Sequence, residues 1–230
     1  MNFRIVNIIQ ARMGSSRLPG KMAKLINHRA MIDWVLCRTL SSGYETVLAT
    51  TNNKVDDQLS DFCRQKGISC YRGDENDVLL RYVNAAKMSK ADIVIRVCGD
   101  RPFVDPSSIR SAVELFMDSD SDVVFNHYPH NSNIPIGFGA EVFSFKFLEC
   151  LNLSVLSEYE REHVTLHAYQ NSENFKLIQD TSLCKYVEND LIKLDVDTEQ
   201  DLERARALAG FIGIDSTVEE IISAYKGLKI

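Results

Sequence analysis

Short β-branched runs alternate along the chain with amphipathic stretches, and this alternation restricts the fold more than any other feature of the sequence. Arg4 to Ile9, Thr46 to Thr50, Ile68 to Tyr71, Ile93 to Val97 and Val123 to Phe125 are mostly apolar runs of strand length, the pattern of strands covered on both faces. Helical patterns lie between them. One runs from about Ala30 to Leu40 and stops near Gly43, and another from Val55 to Lys66 stops at Gly67, a natural C-terminal glycine. Asp105-Pro106 opens a third helix that ends near Asp118, since Asp caps free amides and Pro suits the first helical position. Repeated βαβ units predict an α/β fold with a mostly parallel, doubly wound sheet, whose ligands bind beyond the carboxyl ends of the strands.

The segment from His127 to Phe138 lacks periodicity and holds Pro129, Pro135 and Gly137, so it reads as a loop at the edge of a site. Ser157-x-x-Glu160 is a capping box opening a helix to about Tyr169, and Ser216-x-x-Glu219 is read as opening the terminal helix. Lys176 to Gln179 and Ile192 to Val196 are read as further strands. With 230 residues and 45% hydrophobic content, residues 1–230 are expected to form one domain with a substantial core. Lys plus Arg number 26 against 32 Asp plus Glu, a net charge of -6, which disfavours nucleic acid and anionic membrane as partners. A small anionic ligand remains compatible where cations concentrate locally. The first residues form neither a signal peptide nor a membrane span, and a cytoplasmic protein is expected. Cysteines 37, 63, 70, 98, 150 and 184 contain no CxxC pair and read as reduced core thiols, with Cys98 alone left open.

The first strand runs into Gln10-Ala11-Arg12-Met13-Gly14-Ser15-Ser16-Arg17-Leu18-Pro19-Gly20-Lys21, followed by a strand-like Met22 to Ile26. Three cations and two hydroxyls among small residues have the composition of a phosphate grip, because a triphosphate needs cations at separate points and closely approaching amides. A solvated basic loop is the competing reading. The loop is not a Walker A motif, since Lys21 is followed by Met22 rather than Ser or Thr. Asp100 follows the strand ending at Val97, with Gly99 permitting a sharp turn, and is a place for Mg2+, which binds through one or two carboxylates together with substrate phosphates. Asp195 and Asp197 are two apart at the end of another expected strand and so project from one face, completing a metal-binding acidic cluster with Asp100. A turn-forming Asp100 and an Asp197 that merely caps a helix are the bland alternatives.

The segment IIQARMGSSRLPGK at 8–21 resembles the N-terminal signature of the cytidylyltransferases that activate acidic sugars, the CMP-Kdo and CMP-sialate synthetase superfamily. YRGDENDVLLRY at 71–82, VIRVCGDRPFVDP at 94–106, IPIGFGAEVFSFKFLE at 134–149, REHVT at 161–165 and LDVDTEQDL at 194–202 extend the similarity over nearly the whole chain, closest to the spore-coat-polysaccharide F branch. The resemblance implies a Rossmann-like three-layer nucleotidyltransferase fold, CTP as nucleotide, magnesium as the ion and a homodimer. It also implies that the GD step at Asp100 and the DxD step at Asp195 and Asp197 carry metal.

Nucleotide binding is accordingly expected from Gln10, Ala11, Arg12, Gly14, Ser15, Ser16, Arg17, Lys21 and Arg72, with Arg12, Lys21 and Asp100 carrying catalysis. Arg81 is read as part of a solvated helix start; Arg96 and Arg101 bracket the Asp100 turn, and simple balancing of its charge is the competing reading for both. Arg101 stands where related enzymes often carry an acidic or small residue, and its guanidinium suits an acceptor bearing carboxylate or phosphate. Cys98 likewise stands where those enzymes often have glutamine. In the matching family segments Glu141 faces the acceptor, and Arg161 and His163 bind it. His163 and His167 have the spacing of paired metal ligands, but no third ligand accompanies them and a zinc site is not expected.

The reaction this predicts is attack by an acceptor oxygen on the α-phosphorus of CTP with release of pyrophosphate, driven by positioning and charge neutralisation. No general base is evident, and a metal can lower the acceptor hydroxyl's pKa instead. A glycosyltransferase using Asp195-Val196-Asp197 as its DxD step is the second reading, weakened because a nucleotide-sugar donor has no terminal triphosphate to justify so cationic a loop. A catalytically silent nucleotide-binding subunit is the third, opposed by the presence of both the basic loop and all three aspartates.

Overall fold

A computed structural model describes residues 3–127, 134–186 and 192–228. The chain begins with strand β1 (Ile5–Gln10), a turn of 3-10 helix at Lys21–Ala23, and a small ribbon of β2 (Leu25–Ile26) and β3 (Arg29–Ala30). Helix α1 (Met31–Leu40) leads to β4 (Glu45–Thr51), α2 (Asp57–Lys66), β5 (Ser69–Gly73), α3 (Val78–Ser89) and β6 (Ile93–Cys98). Next come α4 (Pro106–Asp118), β7 (Val123–Phe125), β8 (Glu141–Ser144) and α5 (Phe145–Leu153). The short helices α6 (Glu158–Glu162) and α7 (Leu166–Gln170) precede β9 (Leu177–Gln179), α8 (Glu199–Ala209) and α9 (Val218–Gly227).

Seven strands form one sheet in the order β5-β4-β1-β6-β8-β7-β9. Within this sheet every strand pair is parallel except those made by β8, which runs against both β6 and β7. Apolar residues of α1, α2, α4, α8 and α9 pack on one face, and those of α3, α5 and α7 on the other, giving the three-layer α/β arrangement. The strands are apolar on both sides because both sides are covered. Phe143, fully buried on the second face, makes a tilted ring contact with Phe147 at 5.6 Å, and its truncation to Ala would cost about 3–5 kcal/mol.

Helix ends follow the local chemistry of the sequence. Asp105 accepts from the Ser108 amide at 2.7 Å to start α4, with Pro106 at the first position, and α2 ends on Gly67 at φ 68. Ser157 and Glu160 form the expected capping box at α6. The terminal helix is capped one residue later than expected, by Thr217 and Glu220: Thr217 has the extended backbone of a cap and its side chain accepts from the Glu220 amide.

Three further expectations are corrected. Ile192 to Val196 is not a strand: it makes one bridge, Lys193 to Ile136, before the Val196 amide turns to the Asp100 carbonyl at 2.8 Å. Met22 to Ile26 is a 3-10 turn followed by a two-residue strand rather than one strand. The helix expected to run from Ser157 to Tyr169 breaks at His163, which leaves Thr165 buried and its hydroxyl against Glu141. Of the loop expected from His127 to Phe138, residues 128–133 lie outside the described residues; Ile136 within it is tied to Ile192 and Leu194 through its amide and carbonyl.

Candidate active site

The carboxyl ends of β1 and β6 meet at a cleft of about 210 Å³. The residues after β1 are pinned from below, which aims their side chains into it. The Met13 amide donates to Asp56 Oδ1 at 2.6 Å, while Met13's own carbonyl accepts from the amides of Ser15 and Gly20 at 2.9 and 3.0 Å. The exit of β6 lies directly against that of β1. A Cβ on Gly99 would fall 2.8 Å from both Ala11 Cβ and the Gln10 carbonyl, so only glycine permits the approach that brings Asp100 over the loop.

Gln10, Ala11, Arg12, Gly14, Ser15, Ser16, Arg17 and Lys21, all expected to bind nucleotide, line the cleft together with Asp100 and Asp197. The loop cations are partnered by cleft carboxylates. Lys21 Nζ sits 3.1 Å from Asp197 Oδ1 and 3.7 Å from Asp100 Oδ2, and also donates to the Val196 carbonyl. Arg17 pairs with Asp197 at 3.0 Å, and Arg12 with Glu75 at 3.0 Å and Glu162 at 3.7 Å. Phosphate oxygens and a cation can take over these partners one for one, which is what a self-neutralised polyanion site requires.

Asp195 does not complete the cleft. Its carboxylate is buried beside Lys193, 3.1 Å away, and is absent from the cleft lining. Burial raises its pKa against the pull of Lys193, and the nearby Asp100 and Asp197 raise it further. Among the described residues no three acidic, histidine or cysteine side chains converge as a metal cage. Asp100 and Asp197 alone, both reaching the same lysine nitrogen, still supply the one or two carboxylate oxygens that Mg2+ uses alongside phosphates. The donor set therefore fits magnesium as a pair, with Asp195 behind it.

Arg72 is not in the cleft. Its guanidinium is spent on Asp57 at 2.6 Å and on the carbonyls of Thr51 and Asn53, at the outer edge of the sheet. Arg81, expected to be solvated, is buried and lines the cleft instead. The sequence held a signal for this: position 81 falls between Val78 and Ala85 on the buried stripe of α3.

The residues expected to face the acceptor divide. Glu141 has no exposed surface, and its oxygens already accept from Arg96 Nη1 at 2.7 Å, Thr165 Oγ1 at 2.9 Å and Tyr169 OH at 2.8 Å, with His127 Nε2 at 2.7 Å. Burial alone would raise its pKa, but Arg96 and His127 hold it well below the usual carboxylate range. Glu141 is thus the hub of the wall rather than a free carboxylate. Arg96 and Glu141 meet because they are register partners on β6 and β8. Arg96 also contacts Gln10 Oε1 at 3.3 Å, linking the hub to the cleft floor; its ion-pair partner is Glu141 and not Asp100. Arg161 is turned away to Asp77 and Asn152 and fastens α6 to the cap of α3. His163 lines the cleft, its ring 4.4 Å from that of Tyr159, and His167 pairs with Glu160. Cys98 also lines the cleft, while Arg101 donates to the Gly139 carbonyl at 2.7 Å beside it.

Similarity to known proteins identifies the family. The sequence profile of the cytidylyltransferase family matches residues 6–230. The spore coat polysaccharide biosynthesis protein SpsF of Bacillus subtilis is 31% identical over 89% of this chain and 85% of its own. A cytidylyltransferase from Leptospira borgpetersenii superposes with a TM-score of 0.89 at 28% identity, covering 99% of this chain and 96% of that one. A CMP:2-keto-3-deoxy-manno-octonic acid synthetase solved with CTP shares the fold, with a TM-score of 0.66 at 20% identity over 90% of this chain and 98% of its own. The chain, with its basic loop closed over Asp100 and Asp197, belongs to the cytidylyltransferase family of CTP-dependent nucleotidyltransferases.

Proposed function

We propose that this enzyme transfers CMP from CTP to a hydroxyl of an acidic sugar or related anionic acceptor, in the synthesis of surface-polysaccharide or glycoconjugate precursors. The observation that carries the reading is the placement of Lys21 between Asp100 and Asp197, with Arg12 and Arg17 on the same loop. In the reaction the acceptor oxygen bonds to the α-phosphorus, the bond from that phosphorus to the bridging oxygen breaks, pyrophosphate leaves, and the hydroxyl proton is released to solvent. Arg12, Arg17 and Lys21 would neutralise the triphosphate and hold it in line. Asp100 and Asp197 would hold Mg2+, which supplies charge neutralisation at the phosphates when bound. Arg101 and His163 are the side chains offered to the acceptor, with Glu141 fixing the wall behind them.

The anionic acceptor is supported by Arg101, which among the described residues forms no ion pair and donates to the Gly139 carbonyl, whereas Arg96 is taken up by Glu141. SpsF's place in spore-coat polysaccharide synthesis, and the sugar acid activated by the structurally similar synthetase, supply the chemical class. The glycosyltransferase reading loses its basis, since Asp195 and Asp197 part company, one to Lys193 and the other to Lys21. A homodimer is proposed on the family resemblance and on the exposed apolar Leu153 and Val155, and sedimentation would test it. A cytoplasmic location is proposed likewise; among the described residues no helix is long and apolar enough to cross a membrane.

The test is pyrophosphate release by the purified enzyme with each of the four nucleoside triphosphates, against sugar acids, sugar phosphates and neutral sugars, with and without magnesium. CTP with a sugar acid or sugar phosphate and magnesium should release pyrophosphate. Turnover confined to neutral acceptors, or to another nucleotide, would overturn the reading.

A further inference from the structure

The loop cations of the cleft have carboxylate partners; Arg81 does not. It is 3% exposed and lines the cleft, yet among the described residues it forms no ion pair. Nη1 donates to the carbonyls of Asp74 at 2.7 Å and Glu75 at 3.4 Å, and Nε is buried with no acceptor. A buried guanidinium left short of acceptors costs free energy that the protein alone does not recover, so it marks a group whose partner arrives with a ligand.

Position narrows what that partner is. Helix α3 follows β5, on one side of β1, whereas Arg96, Arg101 and Glu141 belong to the β6 and β8 side. Lys21, Asp100 and Asp197 define the end for phosphates and metal. On that side Glu75 and Glu162 are taken up by Arg12, and the Glu75 backbone carbonyl rather than its carboxylate accepts from Arg81, so the guanidinium fork is left to a ligand. Val78, one turn earlier on the same side of α3, also lines the cleft and offers an apolar surface. An apolar surface beside a forked donor fits a flat heterocycle with adjacent acceptors on its edge. Cytosine presents O2 and N3 as such a pair; in uracil N3 carries a hydrogen and would oppose a guanidinium donor.

We infer that Arg81 reads the nucleotide base, donating to O2 and N3 of cytosine, and so separates CTP from UTP. The inference rests on the cleft being the CTP site. The reading was not accessible from the loop motif, because α3 lies about sixty residues beyond it in the chain.

The experiment measures binding of CTP, UTP, 3-deaza-CTP and inorganic tripolyphosphate by calorimetry, for the wild type, Arg81→Lys and Arg81→Gln. In the wild type CTP should bind more tightly than UTP and 3-deaza-CTP, which lacks the N3 acceptor. In both variants this preference should shrink by about 10- to 100-fold, the range of a lost bidentate donor pair, mainly through weaker CTP binding. Tripolyphosphate affinity and melting temperature should stay at wild-type values in at least the Lys variant, showing an intact site. An unchanged CTP to UTP ratio, or equal weakening of CTP and tripolyphosphate, would overturn the role of Arg81 alone. Absence of any CTP preference in the wild type would overturn the CTP site itself and the inference with it.

Discussion

Two clusters of arginines, lysine and carboxylates sit within one cleft and its wall, and they are built differently. At the loop, Lys21 pairs with Asp100 and Asp197, Arg17 with Asp197, and Arg12 with Glu75 and Glu162, at 3.0 to 3.7 Å and with members partly exposed. At Glu141 the carboxylate is wholly buried and held by groups from β6, the residues just after β7, α7 and the turn before α7. Open pairs can exchange partners when phosphate and metal arrive. The closed hub cannot, since any oxygen withdrawn from it would leave a buried donor unsatisfied. The same residue types thus serve binding in one place and rigidity a few residues away, and exposure decides which.

The largest effect expected from this contrast is at the hub. Glu141→Ala should lower unfolding free energy by about 3–5 kcal/mol in denaturant titrations, because Arg96 is left as an unpaired buried charge. Replacing both partners, Arg96→Met with Glu141→Leu, should cost less than the sum of the single changes. A near-zero effect of Glu141→Ala would make the hub as exchangeable as the loop, and the contrast would fail.

At the loop the sign reverses. Asp197→Asn removes the carboxylate that occupies Lys21 and Arg17, so CTP binding without magnesium should tighten by roughly fivefold, on the order of 1 kcal/mol for partly exposed pairs. The gain in affinity on adding magnesium should shrink in the same variant. Weaker metal-free binding by Asp197→Asn would mean that Asp197 contacts the nucleotide directly.

The smallest effect lies outside both clusters, at the α6 capping box. Ser157, whose hydroxyl donates at 2.6 Å, and then His167 depress the Glu160 carboxyl to about 2. A depressed carboxylate adds stability above its unfolded value of roughly 4.3 and loses it as pH falls through the folded one. The melting-temperature gap between wild type and Glu160→Gln should therefore be constant above about pH 5 and close toward pH 2. A gap that widened on acidification would contradict the assignment.

Much of the fold was legible because its signals are local. Val123–Phe125 and Pro106–Asp118 lie where apolar run, cap and proline place them, and the basic loop announces itself by composition. Ile192 to Val196 misled because an apolar run reports burial rather than pairing; these residues are buried against Ile136 and the turn at Asp100 without a neighbouring strand. Within the site, the loop and Asp100 were readable since each directly follows a strand. Arg72 and Arg81 were exchanged because their charges look alike in sequence, and only helix phase and the reach of Asp57 separate them. The Glu141 hub was hidden by distance, its partners lying at 96, 127, 165 and 169.

The central claim is that the loop and the acidic pair are one nucleotide site. It is tested most directly by pyrophosphate release from CTP, with the acceptor found by screening, in Lys21→Ala and Asp100→Ala. Each variant should keep its wild-type fold by circular dichroism and lose about 10²- to 10³-fold in kcat, the range for removing one preorganised charge-stabilising group. Full pyrophosphate release by either variant would contradict the account.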